Sequence, residues 1–309
     1  MPSASRVARL VAAVAVLAAL GVVAVWWWWR HPPDPAAELR AHWAPLARVE
    51  RRAAPELGTR VERWRLVDAA GREVRALWRA APPEVPHPWT VVMLGGLGTG
   101  DRATLLIPAE TPAHVLAVDW PWTGRRDLSP LEIALATPAI GTAVLRSPAV
   151  VALGAAAAAS QPEVDSTRVV LVGASLGVPA TLAALRLTRV PAALVLIDGA
   201  ADLELLLRTE LAGAVRPRLL AAPIAALGFR LARPLEPALN AGAADGMPIL
   251  LINARDDERL PRAAVERLRA SFPAADRRWR DDRHLLPQRG APIEAMAGEV
   301  IAWLDGLPR

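Results

Sequence analysis

Ser175, set between Gly173 and Gly177, is the residue of this 309-residue chain with the most chemistry in its surroundings. The segment Arg168–Gly177 reads RVVLVGASLG, a short apolar run rich in β-branched residues that ends in Gly-x-Ser-x-Gly. A helix-forming stretch, ATLAALRL, follows. Strand, tight turn and helix in that order predict a sharp reversal in which the serine is held in a strained backbone geometry. The flanking glycines leave room where a side chain would meet the neighbouring strand or helix. The hydroxyl would then stand at the head of a helix, where backbone N–H groups stabilise negative charge. A neutral serine is a poor nucleophile. Acyl transfer from such a site therefore needs a base, an acid that orients the base, and donors for an oxyanion.

The elements that must position those groups can be read from the periodicity. RVERWRLVD and REVRALWRA form a hairpin-like pair joined across Ala69–Gly71. PWTVVMLGGLG, HVLAVDW, RVVLVG, AALVLID and PILLINA follow as short buried strands, separated by longer segments, several of them helical. Continuous apolar strands alternating with helices predict an α/β domain, with a mostly parallel central sheet covered on both faces. A last strand is expected around RRWRDD, and Ile293–Leu307 reads as a closing amphipathic helix.

With the Gly-x-Ser-x-Gly turn in this setting, the chain resembles the α/β-hydrolase superfamily from about Thr59 to the C-terminus. The resemblance implies an α/β-hydrolase fold and a chain order of Ser, then Asp or Glu, then His. After PILLINA comes RDDERLP, whose register favours Asp257, a few residues before Pro261, as the acid. Asp256 competes with it, and Asp198, at the end of LVLID, occupies a place where some members carry the acid. His284, in DDRHLLP, follows the last expected strand, where the family places its base, and no other histidine lies C-terminal to Ser175. The oxyanion would be held by the backbone N–H of Leu176 and by a second N–H from Leu94–Gly100, LGGLGTG. Aligned with the family's His-Gly, Gly95 replaces the His and Leu97 supplies that donor. The implied activity is hydrolysis of a small-molecule acyl substrate, a carboxylic ester, through an acyl-enzyme on Ser175. Acyl transfer or peptide cleavage by the same three residues is the alternative. The family His missing at Gly95 leaves open a hydrolase fold used only as a binding module.

Other features bound the function. Gly95, Gly96 and Gly98 fail as a phosphate loop because no Gly-Lys-Ser/Thr follows. His31, His42, His87 and His114 read as structural or solvated. No cluster of His, Cys and carboxylate has metal-ligand spacing and Cys is absent, so neither a metal nor another cofactor is expected. All 36 basic residues are Arg, but Arg6, Arg9 and Arg30 flank the apolar N-terminal segment, and the remainder nearly balances the 31 acidic residues. That near-balance is no footprint for nucleic acid.

Residues 10–29 are uncharged and almost wholly apolar, long enough for a helix across a bilayer, and end in a four-Trp block suited to the membrane interface. A cleaved signal peptide is the rival, but its core would be shorter and end in small residues. The expected organisation is a basic tail over 1–9, a single-pass anchor over 10–29, a linker and leading helix over 30–58, and the hydrolase domain over 59–309. The short tail resembles a signal anchor, which would put the domain outside the cytoplasm. Within the domain, residues 200–246 are Leu/Ala-rich with helical periodicity. They form either a small lid with an apolar underside or an extension of the helical layer.

Overall fold

The computed structural model describes residues 20, 21, 23, 26, 27 and 30–309, apart from 97, 123, 125–129, 216, 217, 289 and 309. Two units result, Met1–Asp34 and Pro35–Arg309. In the first, the described residues of the apolar segment are helical and exposed. The rest of the anchor expected over 10–29 lies outside the described residues. Among the described residues, Ala136–Ala159 is the one helix long and apolar enough to cross a membrane, and 56% of its most apolar window is buried inside the fold. It is a core helix of the second unit.

That unit is a nine-stranded mixed sheet with helices on both faces. Its strands are β1 (Leu46–Ala53), β2 (Val61–Asp68), β3 (Glu73–Arg79), β4 (Trp89–Leu94), β5 (Ala113–Val118), β6 (Val169–Ala174), β7 (Ala193–Ile197), β8 (Ile249–Ala254) and β9 (Asp276–Arg280). Their spatial order is β1-β2-β3-β5-β4-β6-β7-β8-β9. β1 to β3 run antiparallel, β3 meets β5 antiparallel, and every pair from β5 to β9 is parallel. The helices that matter to the site are α1 (Pro35–Ala41), α2 (Pro130–Ala159), α3 (Gly177–Ala184), α4 (Leu203–Ala214), α5 (Ala221–Ala232), α6 (Arg262–Ala270) and α7 (Gly290–Asp305).

The leading segment needs correction. Residues 30–58 were expected to hold only a linker and a helix, with the domain starting at 59. Instead, the compact unit begins at Pro35, and β1 occupies Leu46–Ala53 as the sheet's edge. The strand is hidden in the sequence because LARVERRA is half charged and mostly exposed. Its charges pair across the strands, Arg51 with Glu62 at 2.8 Å and Glu50 with Arg65 at 2.9 Å. A charged edge strand of this kind resists pairing with another chain.

Side chains alternate between the two faces, as strand geometry requires. On β4, Val92 and Leu94 enter one core and Val91 and Met93 the other; on β6, Val169 and Leu171 oppose Val170 and Val172. The first core is closed by α2 and α3, the second by α7. α2 runs 30 residues despite Pro138 and Pro148 inside it. Pro148 deprives the Val144 carbonyl of its helical donor, and the Ser147 hydroxyl donates to that oxygen instead, at 2.7 Å.

Under the antiparallel strands, Trp64 and Trp78 stack at 4.7 Å between ring centroids, and His114 stacks on Trp78 at 5.0 Å. His114 Nδ1 accepts the Ala81 N–H at 3.0 Å, so the ring is a neutral structural element, and burial holds it below the usual histidine range. Trp78 is 1% exposed. Trp78→Ala is therefore expected to cost about 3–5 kcal/mol, measured as a fall in unfolding free energy by urea titration at constant slope.

Candidate active site

Ser175 sits at the C-terminal end of β6 with φ +52°, a left-handed conformation that a non-glycine residue adopts at a cost. Several contacts hold it there. Its N–H donates to the Ile197 carbonyl at 2.8 Å, and its carbonyl accepts from Val178 N at 3.1 Å as α3 begins. A Cβ at Gly177 would collide with the Leu94 carbonyl oxygen, and one at Gly173 would lie 2.9 Å from Val178 Cα. Only glycines allow β6, β4 and α3 to meet this closely. Leu176 follows as the N-cap residue of α3, its side chain exposed. Its N–H belongs to the helix end that lacks intrahelical acceptors.

The expected partners converge on this serine. His284 Nε2 lies 3.0 Å from Ser175 Oγ, and His284 Nδ1 lies 2.8 Å from Asp257 Oδ2. The His284 ring is buried, and the Asp257 side chain is 5% exposed. Burial pushes the Asp257 carboxyl up, but hydrogen bonds from His284 and from the N–H groups of Arg259 and Leu260 outweigh it and hold the group below the usual carboxylate range. An ionised Asp257 fixes the tautomer: Nδ1–H donates to the carboxylate, leaving Nε2 to accept from the serine hydroxyl. Because the folded value is the lower one, the stability Asp257 contributes is complete above about pH 4 and is lost as pH falls below it. Asp256 does not join this chain. It is exposed, and its backbone N–H donates to the Asp282 carbonyl at 3.3 Å.

Asp198 is buried to 1% and has a different set of partners. Its Oδ1 accepts from Ala254 N at 3.0 Å, and its Oδ2 accepts from Arg280 Nη2 and from Leu285 N, each at 2.8 Å. These three donors lie at the end of β8, the end of β9 and the loop carrying His284. Burial pushes the Asp198 carboxyl up against the pull of Arg280 and the Leu285 N–H. Sequence reasoning weighed this residue only as a rival acid. A carboxylate closing an otherwise apolar strand was the available signal. Asp198, Asp257 and His284 bring potential ligand atoms within 4.8 Å of one another. Both imidazole nitrogens and both Asp198 oxygens are already engaged by hydrogen bonds, so a cation would have to displace Ser175 or the N–H donors.

The loop after β4 lies alongside. The Gly95 carbonyl accepts from Trp120 Nε1 at 3.1 Å, and the Thr99 hydroxyl and N–H both donate to the Gly96 carbonyl, at 2.8 and 3.0 Å. A Cβ on Gly95 would sit 2.5 Å from Thr99 Oγ1 and 3.3 Å from Ala103 Cβ, so a histidine there would require the Thr99 side chain to move. Leu97, the expected second oxyanion donor, lies outside the described residues. Gly95, Gly96 and Gly98 around it border the same cavity as Ser175 and His284, a space of about 710 Å³. α4 borders the mouth through Leu203, Leu206 and Glu210. It is fixed there by Glu236, whose carboxylate accepts the Asp202 and Leu203 N–H groups at 2.9 and 2.8 Å. α5 packs beside α4 and keeps Ile224 and Leu227 exposed.

Sheet order, the turn at Ser175 and the position of the His284 loop define an α/β-hydrolase fold. Solved structures share it. Acetyl xylan esterase 1 from Thermoanaerobacterium sp. JW/SL YS485 superposes with a TM-score of 0.61 at 16% identity, over 88% of this chain and 94% of that one. The Pyrococcus furiosus esterase Pf2001 gives 0.55 at 16% identity, over 84% and 98%. A Mycobacterium tuberculosis puromycin-hydrolyzing peptidase gives 0.53 at 21% identity, over 79% of this chain but only 39% of that one. No protein-family model matches the chain, and no curated protein matches it in sequence.

Removing the Asp198 charge would take from the half-buried Arg280 its shorter ion pair and leave it Asp282 at 3.4 Å. Asp198→Asn should destabilise the fold by about 1–3 kcal/mol, read as a lowered Tm, whereas Asp256→Asn should leave Tm within a degree or so.

Proposed function

We propose that this chain is a serine-dependent hydrolase of carboxylic esters, acting through an acyl-enzyme on Ser175. The observation that carries this reading is the hydrogen-bonded line from Ser175 Oγ through His284 to Asp257, with separations of 3.0 and 2.8 Å. In the first half-reaction His284 Nε2 takes the hydroxyl proton as Oγ bonds to the carbonyl carbon. Asp257 stabilises the imidazolium that results. The tetrahedral oxyanion is held by Leu176 N–H at the head of α3, with Leu97 N–H as the second donor. Each such donor contributes about 3 kcal/mol of transition-state stabilisation. Collapse breaks the ester C–O bond, and His284 returns the proton to the departing alcohol. Water then attacks the acyl-serine by the same route, releasing the carboxylic acid and restoring Ser175 Oγ–H.

No step in this cycle calls for a metal or a diffusible cofactor. The apolar run over 10–29 supports a place at a membrane, and the short tail before it, like that of a signal anchor, puts the hydrolase domain outside the cytoplasm in this reading. Recovery of the full chain in the carbonate-resistant membrane fraction is the expected result for that placement; release into the wash would remove it.

A fluorophosphonate probe should label the full chain at Ser175, located by mass spectrometry, and labelling should vanish in both Ser175→Ala and His284→Ala. Asp257→Asn should lower kcat by about 10⁴-fold, while Asp256→Asn keeps most of it. An unlabelled, folded wild-type protein would sink the reading.

A further inference from the structure

The two faces of the sheet are not filled equally. On the α2–α3 face, Val92, Leu94 and Leu171 are each 0% exposed. On the α7 face, Val170, Val195, Leu250 and Ile252 are likewise 0% exposed, but Val91 and Ile301 are 8% exposed and Met93 and Ile197 7%. The latter four touch an internal space that is continuous with the site, since Ser175, His284, Val91, Val115, Met296 and Val300 all border one cavity. Its direction follows from strand register. Val91 pairs with Val170 and with Val115, five positions before Ser175 on β6. The cavity therefore reaches about 16 Å back along the strands, at about 3.3 Å per residue. Its deep walls are aliphatic: Met93, Val115 and Val172 from the sheet, Met296 and Val300 from α7. The charged side chains Glu210 and Arg259 are exposed and belong to the mouth.

We propose that this blind cavity between the sheet and α7 holds the acyl chain of the substrate, a straight aliphatic chain of about twelve carbons. This rests on the ester-hydrolase reading and names the substrate class for it. The length follows from the depth: tetrahedral C–C bonds of about 1.5 Å advance an extended chain by about 1.25 Å per methylene, so roughly twelve fit in the available depth. The acyl group occupies the blind end because of the order of release. The alcohol leaves first, carrying the proton that His284 took from Ser175, while the acyl group stays bound to Oγ as an ester. An alcohol behind the serine would be trapped by that ester, whereas one at the mouth departs and admits the water for the second step. Burying aliphatic chain against an aliphatic wall supplies the affinity, and a polar acyl group gains less of it.

The test is kcat/KM of the full chain on p-nitrophenyl esters of straight-chain acids from acetate to hexadecanoate. The value is expected to rise by about fourfold per added methylene until about dodecanoate, then to fall. Ala297, on the cavity side of α7, and Ala103, on the opposite wall, are the positions to fill. Ala297→Phe and, independently, Ala103→Phe should each move the optimum to butyrate or shorter. Two variants from different elements guard against one that merely fails to fold, and fluorophosphonate labelling of Ser175 reports folding of both. A labelled wild-type enzyme whose optimum is acetate, or an optimum unmoved in both labelled variants, overturns the acyl assignment alone. An unlabelled wild type overturns the hydrolase reading and the acyl assignment with it.

Discussion

The carboxylate of Asp198 joins the ends of three strands. It closes β7 in a left-handed conformation, at φ +46°, and accepts hydrogen bonds from the end of β8, from Arg280 at the end of β9 and from the loop that carries His284. A buried charge is tolerable only when paired and hydrogen-bonded. Each of its three donors is thereby held in place, since losing one leaves the carboxylate short of the partners that burial demands. The separations of about 3 Å around His284 therefore depend on a residue that does not itself touch the serine. Asp257 orients the imidazole ring, and Asp198 places the loop on which the ring sits.

A second constraint is space around Ser175. The reversal from β6 into α3 brings backbone so close that Gly177 packs against the Leu94 carbonyl, and β4, β6 and α3 become one unit at this point. That unit also carries the loop of glycines 95, 96 and 98, pinned by the Trp120 indole. The strained serine, the helix head and the glycine loop are thus consequences of one close approach. Strain of this kind persists only where the surroundings over-determine it, and here two hydrogen bonds and two clashes do so.

The two sheet faces are packed unequally. α2 and α3 bring a mixture of Ala, Val and Leu against one face, and Gly154 of α2 lies close against Val92 and Val118. α7 brings Ile293, Met296, Val300 and Ile301 to the other face, and all four border the space that reaches Ser175. Core packing and the substrate cavity are therefore one problem on this face, because any residue that improved the packing would shorten the cavity.

The sequence by itself determined the local chemistry. Gly-x-Ser-x-Gly between an apolar strand and a helix specifies its own turn, because steric exclusion at 173 and 177 acts over a few residues. The buried parallel strands are equally visible as apolar runs bounded by turn residues. β1 escaped because an edge strand needs no apolar run and LARVERRA has none; its pairing is decided by β2. The register of RDDERLP favours Asp257 as the acid that reaches His284, but Asp256 is adjacent and of identical chemistry. Only the path of the loop after β8 turns one inward and leaves the other in solvent. The role of Asp198, the space occupied by Thr99 where the family carries a His, and the cavity behind Ser175 all depend on residues far apart in the chain. Burial and pairing at that range are properties of the assembled sheet, and a linear sequence holds no distance between its strands.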